Sequence, residues 1–186
     1  MWCSKICIVS LSASRGASVS PPERSGSTRA TLREGSIGFM TFEEARRALY
    51  QAPLAEFVKE RTRLANELRA AGEVKAGAKL RQQPRPSVSA WVTNQLYWHA
   101  RDVFDAMLAA ATTLRKGDLS ATTTHREATT SLRQRASAML TDAGHSATPA
   151  ALQKVATNLA AISARGDFFP DEPGEMTTDR DAPGFG

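Results

Sequence analysis

Apolar side chains recur at every third or fourth position along most of the chain after Met40. This spacing places them on one face of an α-helix, and no pair of alternating strands joined by a tight turn interrupts it. The pattern therefore predicts an all-α fold, a helical bundle of five to seven helices over residues 42–166.

Capping and breaking residues divide the first part of the bundle. Thr41, with Glu44 three positions later, predicts a capping box that begins the first helix. Pro53 is expected at the first position of a second helix, and Gly72 at its end. A weaker helix is predicted over residues 73–82, where a glycine lowers the helix propensity.

The second part of the bundle begins after two prolines in residues 83–86, which break the helical pattern. Ser87 predicts the N-cap of the next helix, and rotation of its apolar stripe predicts a bend near Ala100. Ser120 is expected to cap a long helix rich in alanine and threonine. Thr148, followed by a proline, predicts the start of the last helix.

Residues 1–39 are rich in serine and glycine and show no sustained period, so we predict a disordered leader. The folded protein is expected to start at Met40, which makes the leader an upstream start-site artefact. Cys3 and Cys7 both lie in this leader, so the folded part is expected to need no disulfide, and a cytoplasmic location fits best.

Charge divides the remainder into two segments. Residues 40–166 carry 18 basic and 11 acidic side chains, a net charge of +7. Residues 167–186 carry 1 basic and 6 acidic side chains, a net charge of −5, and several prolines and glycines, so an irregular acidic tail is predicted. Phe168, Phe169 and Phe185 are candidate anchors. Two alternatives stay open: a solvated tail, or a tail folded back over basic surface.

Composition excludes several classes of protein. The chain is 41% apolar and 23% charged, which is ordinary for a globular protein. No apolar run is long enough to cross a bilayer, so no membrane partner is expected. No pattern for a catalytic nucleophile, a phosphate loop or a metal site occurs, and His99, His125 and His145 are far apart in sequence. We therefore predict no enzymatic activity, no cofactor and no metal.

Three polar side chains fall in the middle of predicted apolar stripes: Arg61 on the second helix, and Gln95 and His99 on the helix after Ser87. Their burial without partners would cost about 2–7 kcal/mol each. Two interpretations stay open, a satisfied network that fixes helix register, or a ligand groove lined by Trp91 and Trp98. In either case we expect Arg61 near Gln95 or His99, or paired with Glu44 or Asp102.

Basic residues are concentrated between positions 59 and 85, with few acidic ones among them. Such a stretch is typical of a solvated helical face and also of a nucleic-acid surface. The segment loosely resembles a helix-turn-helix, although its connection is long and lacks a glycine. The candidate nucleic-acid face comprises Arg63, Arg69, Lys75, Lys79, Arg81 and Arg85.

Three segments of the sequence are LYQAPLAEFVKERTRLANELRAAG at 49–72, PSVSAWVTNQLYW at 86–98 and DRDAPGFG at 179–186. Together they resemble a group of uncharacterised bacterial α-helical proteins that share LYxxP…EFxxxRxxLAxxLRxAG, PSVxAWxxNQL and DxDxPGF segments. The resemblance implies that Arg61, Trp91, Asn94 and Gln95 belong to the shared pattern, and it brings no activity. Some of the similar proteins continue past the PGF ending into long charged helices, and whether a C-terminal module is missing here stays open.

These observations predict a non-enzymatic cytosolic helical adaptor that binds another protein or itself. A narrow stripe of mainly alanine over 121–143 allows close helix–helix contact, although such a stripe is more often an ordinary bundle interior. The alternative function is nucleic-acid binding by the face at 59–85 and the helix at 87–99.

Overall fold

The computed structural model describes residues 40–184. Over that range the chain forms seven α-helices and contains no β-strand, so the predicted all-α bundle is confirmed. A 3₁₀-helix, Leu119–Ala121, precedes the sixth helix. The α-helices are α1 (Phe42–Gln51), α2 (Phe57–Ala70), α3 (Val74–Arg81), α4 (Val88–His99), α5 (Arg101–Arg115), α6 (Thr122–Asp142) and α7 (Pro149–Arg165). None of these seven helices is long and apolar enough to span a bilayer. The predicted leader, residues 1–39, lies outside the described residues.

Three predicted helix starts have the expected side-chain caps. The Glu44 amide donates to Thr41 Oγ1 at 3.2 Å, and the Thr41 amide donates to Glu44 Oε2 at 2.8 Å, which completes the capping box. Ser87 accepts from the third amide of α4, and Thr148 accepts from the third amide of α7. These local hydrogen bonds begin the helices where the sequence predicts.

The predicted start of α2 at Pro53 is wrong. The Glu56 amide donates to the Pro53 carbonyl at 2.9 Å, so these residues form a turn, and α2 begins at Phe57. The turn allows Leu54 and Phe57 to enter different parts of the core. The packing of these two side chains overrides the preference of proline for the first helical position.

Ser120 does not cap α6, contrary to the prediction. Asp118 instead accepts a hydrogen bond from the Ser120 amide at 2.9 Å and begins the short 3₁₀-helix. The carboxylate therefore satisfies the free amide there. The bend expected near Ala100 is present, because this buried residue has φ −128° and ψ 39° and separates α4 from α5.

The apolar interior consists of two clusters. The small cluster joins α1, α2 and α3, and its buried residues run from Ala45 to Leu80. The large cluster joins α4, α5, α6 and α7, and it takes in Leu54, Phe168 and Met176 from outside those helices. The alanine stripe of α6 packs inside the large cluster, because Ala128, Leu132 and Ala136 are all buried there.

The segment after α7 is irregular, as predicted, and its described part is built into the core. Phe168 and Met176 are buried, and the Phe168 ring stacks on Phe104 with ring centroids 5.6 Å apart. Phe169 is exposed, whereas Phe185 lies outside the described residues. The boundary expected at 166/167 is therefore not a break in packing, and residues 167–184 are a structural part of the bundle.

Candidate functional site

The residues predicted for the polar cluster or groove are Arg61 on α2 and five residues of α4, namely Trp91, Asn94, Gln95, Trp98 and His99. Most of α4 is buried. Its eight consecutive residues from Ser89 to Leu96 are all buried. A helix that is covered all round has no single inward stripe, so its polar side chains point to different neighbours. The six predicted residues are consequently divided among three places.

Arg61 does not meet Gln95 or His99 through a hydrogen bond, contrary to our expectation. Its Nη1 atom donates to the Gln83 carbonyl at 2.7 Å. The two acidic partners that we considered are used elsewhere, since Glu44 closes the α1 capping box and Asp102 pairs with an arginine of α6. Arg61 therefore fastens α2 to the proline-containing connection before α4, which is a structural role.

Tyr50 links this connection to α4. Its hydroxyl lies 3.3 Å from the Pro84 carbonyl oxygen, and its own carbonyl accepts from Gln95 Nε2 at 3.0 Å. Burial, assisted by the negative charges of Asp171 and Glu175, raises the pKa of the Tyr50 hydroxyl. The hydroxyl thus stays protonated near neutral pH and serves as a hydrogen-bond donor.

Asn94 and Trp98 face the segment after α7. The Asn94 side chain accepts from the Met176 amide at 2.8 Å and donates to the Met176 carbonyl at 2.9 Å. Trp98 Nε1 donates to the Gly174 carbonyl at 3.1 Å. A Cβ on Gly174 would lie 2.6 Å from Trp98 Nε1, so the backbone approaches the ring too closely for any other residue.

Asp179 extends the same contact surface to the start of α4. Its Oδ1 atom accepts from Ser87 Oγ at 3.0 Å, Ser89 Oγ at 2.6 Å and Asn158 Nδ2 at 3.0 Å. Asn158 in turn accepts from the Arg180 amide at 2.7 Å. We call residues 174–180 the C-terminal strap. The strap satisfies the buried polar groups of α4 and α7, so Asn94 and Trp98 do not line an open ligand groove with Trp91.

Trp91, Gln95 and His99 line a cleft of about 400 Å³ between the α1–α2 turn, α4 and the end of α6. We call it the Trp91 cleft. Buried Leu54, Trp91 and Gln95 form its floor, whereas its rim is exposed or partly exposed. The rim includes Gln51, Pro53, His99, Asp142, Ala143 and His145. The sequence indicated the α4 residues of this cleft, and helix packing added those from α1 and α6.

The nitrogen donors on the floor of the Trp91 cleft already have partners. Trp91 Nε1 donates to the Ala52 carbonyl at 3.0 Å, and Gln95 Nε2 donates to the Tyr50 carbonyl. Both side chains are therefore held in place before any ligand arrives, and they present mainly apolar surface to it. The rim supplies further polar groups to a ligand.

A second depression, beside Trp98, contains a charged pair of the protein itself. Arg46 Nε lies 2.5 Å from Glu175 Oε2, as a charge contact without the direction of a hydrogen bond. Burial raises the pKa of Glu175, and the positive charge of Arg46 opposes that rise. The pair joins α1 to the C-terminal strap.

His125 is separate from His99 and His145, which both line the Trp91 cleft. His125 lies near the start of α6, where its Nε2 atom is 3.3 Å from Ser163 Oγ, whereas His145 follows the end of α6. No group of three histidine, cysteine, aspartate or glutamate side chains among residues 40–184 could hold a metal ion. The two histidines of the Trp91 cleft are polar groups on its rim.

The candidate nucleic-acid face is occupied in large part by contacts within the chain. Arg63 pairs with Glu60 and Glu67, and the Arg63 hydrogen bond holds the pKa of Glu60 below its usual value. Arg81 donates to Asn66 Oδ1 at 2.6 Å. These guanidinium groups have partners that a phosphate would have to displace.

The other members of this face differ in their surroundings. Lys79 Nζ lies over the Phe42 ring, 4.3 Å from its centroid, and Arg85 Nη2 donates to the Leu54 carbonyl at 3.2 Å. Arg69 packs beside Gly77, whereas Lys75 is exposed. Nucleic-acid binding remains a prediction, to be tested by the salt dependence of binding to a labelled duplex.

Comparisons with protein-family models, with curated proteins and with solved structures found no match for this chain.

Proposed function

We propose that the protein is a non-enzymatic helical interaction domain that binds a segment of another protein in the Trp91 cleft. The observation that carries this proposal is the cleft of about 400 Å³, in which a buried tryptophan floor opens to the surface between exposed polar residues. An apolar centre inside a polar rim is the usual anatomy of a protein interface.

The hydrogen bonds of the floor favour a protein segment over a small polar ligand. Sites for small molecules usually place several convergent polar groups around the ligand. In the Trp91 cleft the donors of Trp91 and Gln95 are already used by the Ala52 and Tyr50 carbonyls. The floor therefore offers shape and apolar surface, which suit an inserted side chain anchored by its neighbours on the rim.

A peptide-display selection against the full chain tests this proposal. Ala143→Tyr places a neutral, bulky side chain on the exposed rim of the cleft, and Ala106→Tyr places the same group on an exposed position of α5. We expect enriched peptides to bind the parent chain and Ala106→Tyr, and to lose most of their affinity for Ala143→Tyr. Enriched peptides that bind all three proteins equally would place the interaction elsewhere.

Light scattering over a concentration series separates a partner protein from a second copy of this chain. The central residues of the α6 stripe, Ala128, Leu132 and Ala136, lie in the large cluster, which leaves them unavailable for association. We expect a monomer whose mass does not change with concentration. A dimer that Ala143→Tyr dissociates would instead identify the occupant of the cleft as another copy of the chain.

A further inference from the structure

Three helices end at the Trp91 cleft. Gln51 is the last residue of α1, His99 is the last of α4 and Asp142 is the last of α6, and all three line the cleft. The carboxyl end of a helix carries a partial negative charge, equivalent to about half an elementary charge, and cations near it are stabilising. The ends of α1 and α6 thus bring two partial negative charges to the cleft, whereas α5 begins directly after α4, so its positive amino end offsets the end of α4.

Lysine and arginine are unevenly distributed among the last turns of the seven helices. The four helices that end elsewhere each have lysine or arginine in the last turn: Arg69 in α2, Lys79 and Arg81 in α3, Arg115 in α5 and Arg165 in α7. The last turns of α1 and α6 have no basic residue, and that of α4 has only His99. At the ends of α1 and α6, which face the cleft, the protein therefore lacks the basic residue that complements the helix dipole elsewhere.

Asp142 adds negative charge to the rim of the Trp91 cleft. It lies on the last turn of the 21-residue helix α6, where a carboxylate has the unfavourable sign for the dipole. None of the ion pairs among residues 40–184 includes Asp142, and no lysine or arginine lines the cleft. An external cation would offset both the carboxylate and the helix ends.

We infer that the segment bound in the Trp91 cleft inserts a basic side chain, lysine or arginine, with an apolar residue next to it. This inference rests on the proposed function. The ammonium or guanidinium group pairs with Asp142 on the rim, while its methylene stem packs on Leu54 and Trp91. Tryptophan is also the aromatic side chain that attracts cations most strongly.

Three blocked dipeptides test the inference: acetyl-Leu-Lys-amide, acetyl-Leu-norleucine-amide and acetyl-Leu-Glu-amide. They share an apolar residue and differ in the charge of the neighbouring side chain. The NMR signal of the Trp91 indole N–H reports binding in the full chain, and the Trp98 indole, which contacts the strap, serves as an internal reference. We expect the lysine peptide to bind about twofold to fivefold more tightly than the norleucine peptide, and the glutamate peptide least tightly.

Asp142→Asn gives the matched charge test, with Glu127→Gln as its control on an exposed position of the same helix. We expect Asp142→Asn to reduce the affinity for the lysine peptide to that for the norleucine peptide, which should itself be unchanged. Glu127→Gln should leave the preference intact. A lysine preference that survives Asp142→Asn would overturn the role given to this carboxylate.

The outcomes separate this inference from the proposed function. Equal binding of all three dipeptides at the Trp91 signal would overturn the charge preference and leave the cleft as an interaction site. Failure of every dipeptide, together with selected peptides that ignore Ala143→Tyr, would reject the proposed function itself. If pentylammonium binds as tightly as the lysine peptide, the inference that the basic group belongs to a protein segment is overturned. The occupant of the cleft is then a free amine.

Discussion

The two apolar clusters of this protein are assembled in different ways. The small cluster draws its buried residues from one continuous stretch, Ala45 to Leu80, and all of them are apolar or tyrosine. The large cluster is completed by residues from the end of the chain, and the buried polar side chains lie around it, from Ser89 to Glu175. Apolar periodicity is enough to build the first, whereas the second needs specific hydrogen bonds between distant segments.

The strongest test of this contrast is Asn94→Ala. Asn94 is fully buried, and its loss leaves both the amide and the carbonyl of Met176 without partners. Each stranded group costs about 1–3 kcal/mol, so we expect a loss of about 2–6 kcal/mol in the free energy of unfolding by urea. The exposed Asn66→Ala on α2 should change stability by at most about 0.5 kcal/mol. Equal effects of the two substitutions would contradict the distinction between the clusters.

Asp179→Ala should have the next largest effect. It removes the acceptor of three side-chain hydrogen bonds from α4 and α7, for an expected loss of about 1–3 kcal/mol. Amide hydrogen exchange should become faster at Met176 and Arg180, whose amides donate to Asn94 and Asn158. Asp181→Ala, on an exposed neighbour, is the control. Unchanged exchange in Asp179→Ala would show that the strap stays bound without this carboxylate.

Gly77→Ala tests the small cluster, in which close packing rather than polar contact is decisive. A Cβ at this position would lie 2.6 Å from Arg69 Cγ and 2.7 Å from the Ala65 carbonyl oxygen. Separation of α2 from α3 should cost about 1–3 kcal/mol, offset by up to about 1 kcal/mol of improved helix propensity. Thermal unfolding measures the net loss. A stabilised variant would mean that α3 moves freely against α2.

The smallest expected effect on stability is its dependence on pH through Glu175. This residue pairs with Arg46 of α1 and so links the two clusters. Burial raises the pKa of this carboxyl above its unfolded value, so the folded chain binds the proton more tightly. Its contribution to stability is present at low pH and is lost as the pH rises through the folded pKa. Relative to Glu175→Gln, the parent chain should therefore lose stability as the pH rises from the ordinary glutamate pKa of 4.5 through the raised pKa of the folded chain. If the parent chain instead gains stability relative to Glu175→Gln as the pH rises, the attraction to Arg46 outweighs the effect of burial on Glu175.

Much of the helical architecture could be predicted from the sequence, because its signals are local. The caps at Thr41, Ser87 and Thr148 involve residues three positions away, and each is present as expected. The errors at Pro53 and Ser120 arise where a turn is decided by side chains that pack or accept hydrogen bonds nearby. Local propensity is a weak guide at such points.

The candidate site was predictable only in part. A helical wheel assigns one inward face to α4, and this helix has none, so Gln95 and Asn94 point to different partners. Met176, the hydrogen-bond partner of the Asn94 side chain, is 82 positions away in sequence, and no periodicity of the sequence predicts this contact. The one sequence signal for the rim was the absence of lysine and arginine at the ends of α1 and α6.

The position of the C-terminal strap in the chain has a consequence for biosynthesis. Residues 174–180 leave the ribosome after all seven helices, yet they supply the partners of Asn94 and Asn158. A nascent chain that already contains α4 and α7 thus carries buried amide side chains with no native partner. The small cluster, complete by Leu80, can form during translation, whereas the large cluster reaches its final packing only when the strap has emerged.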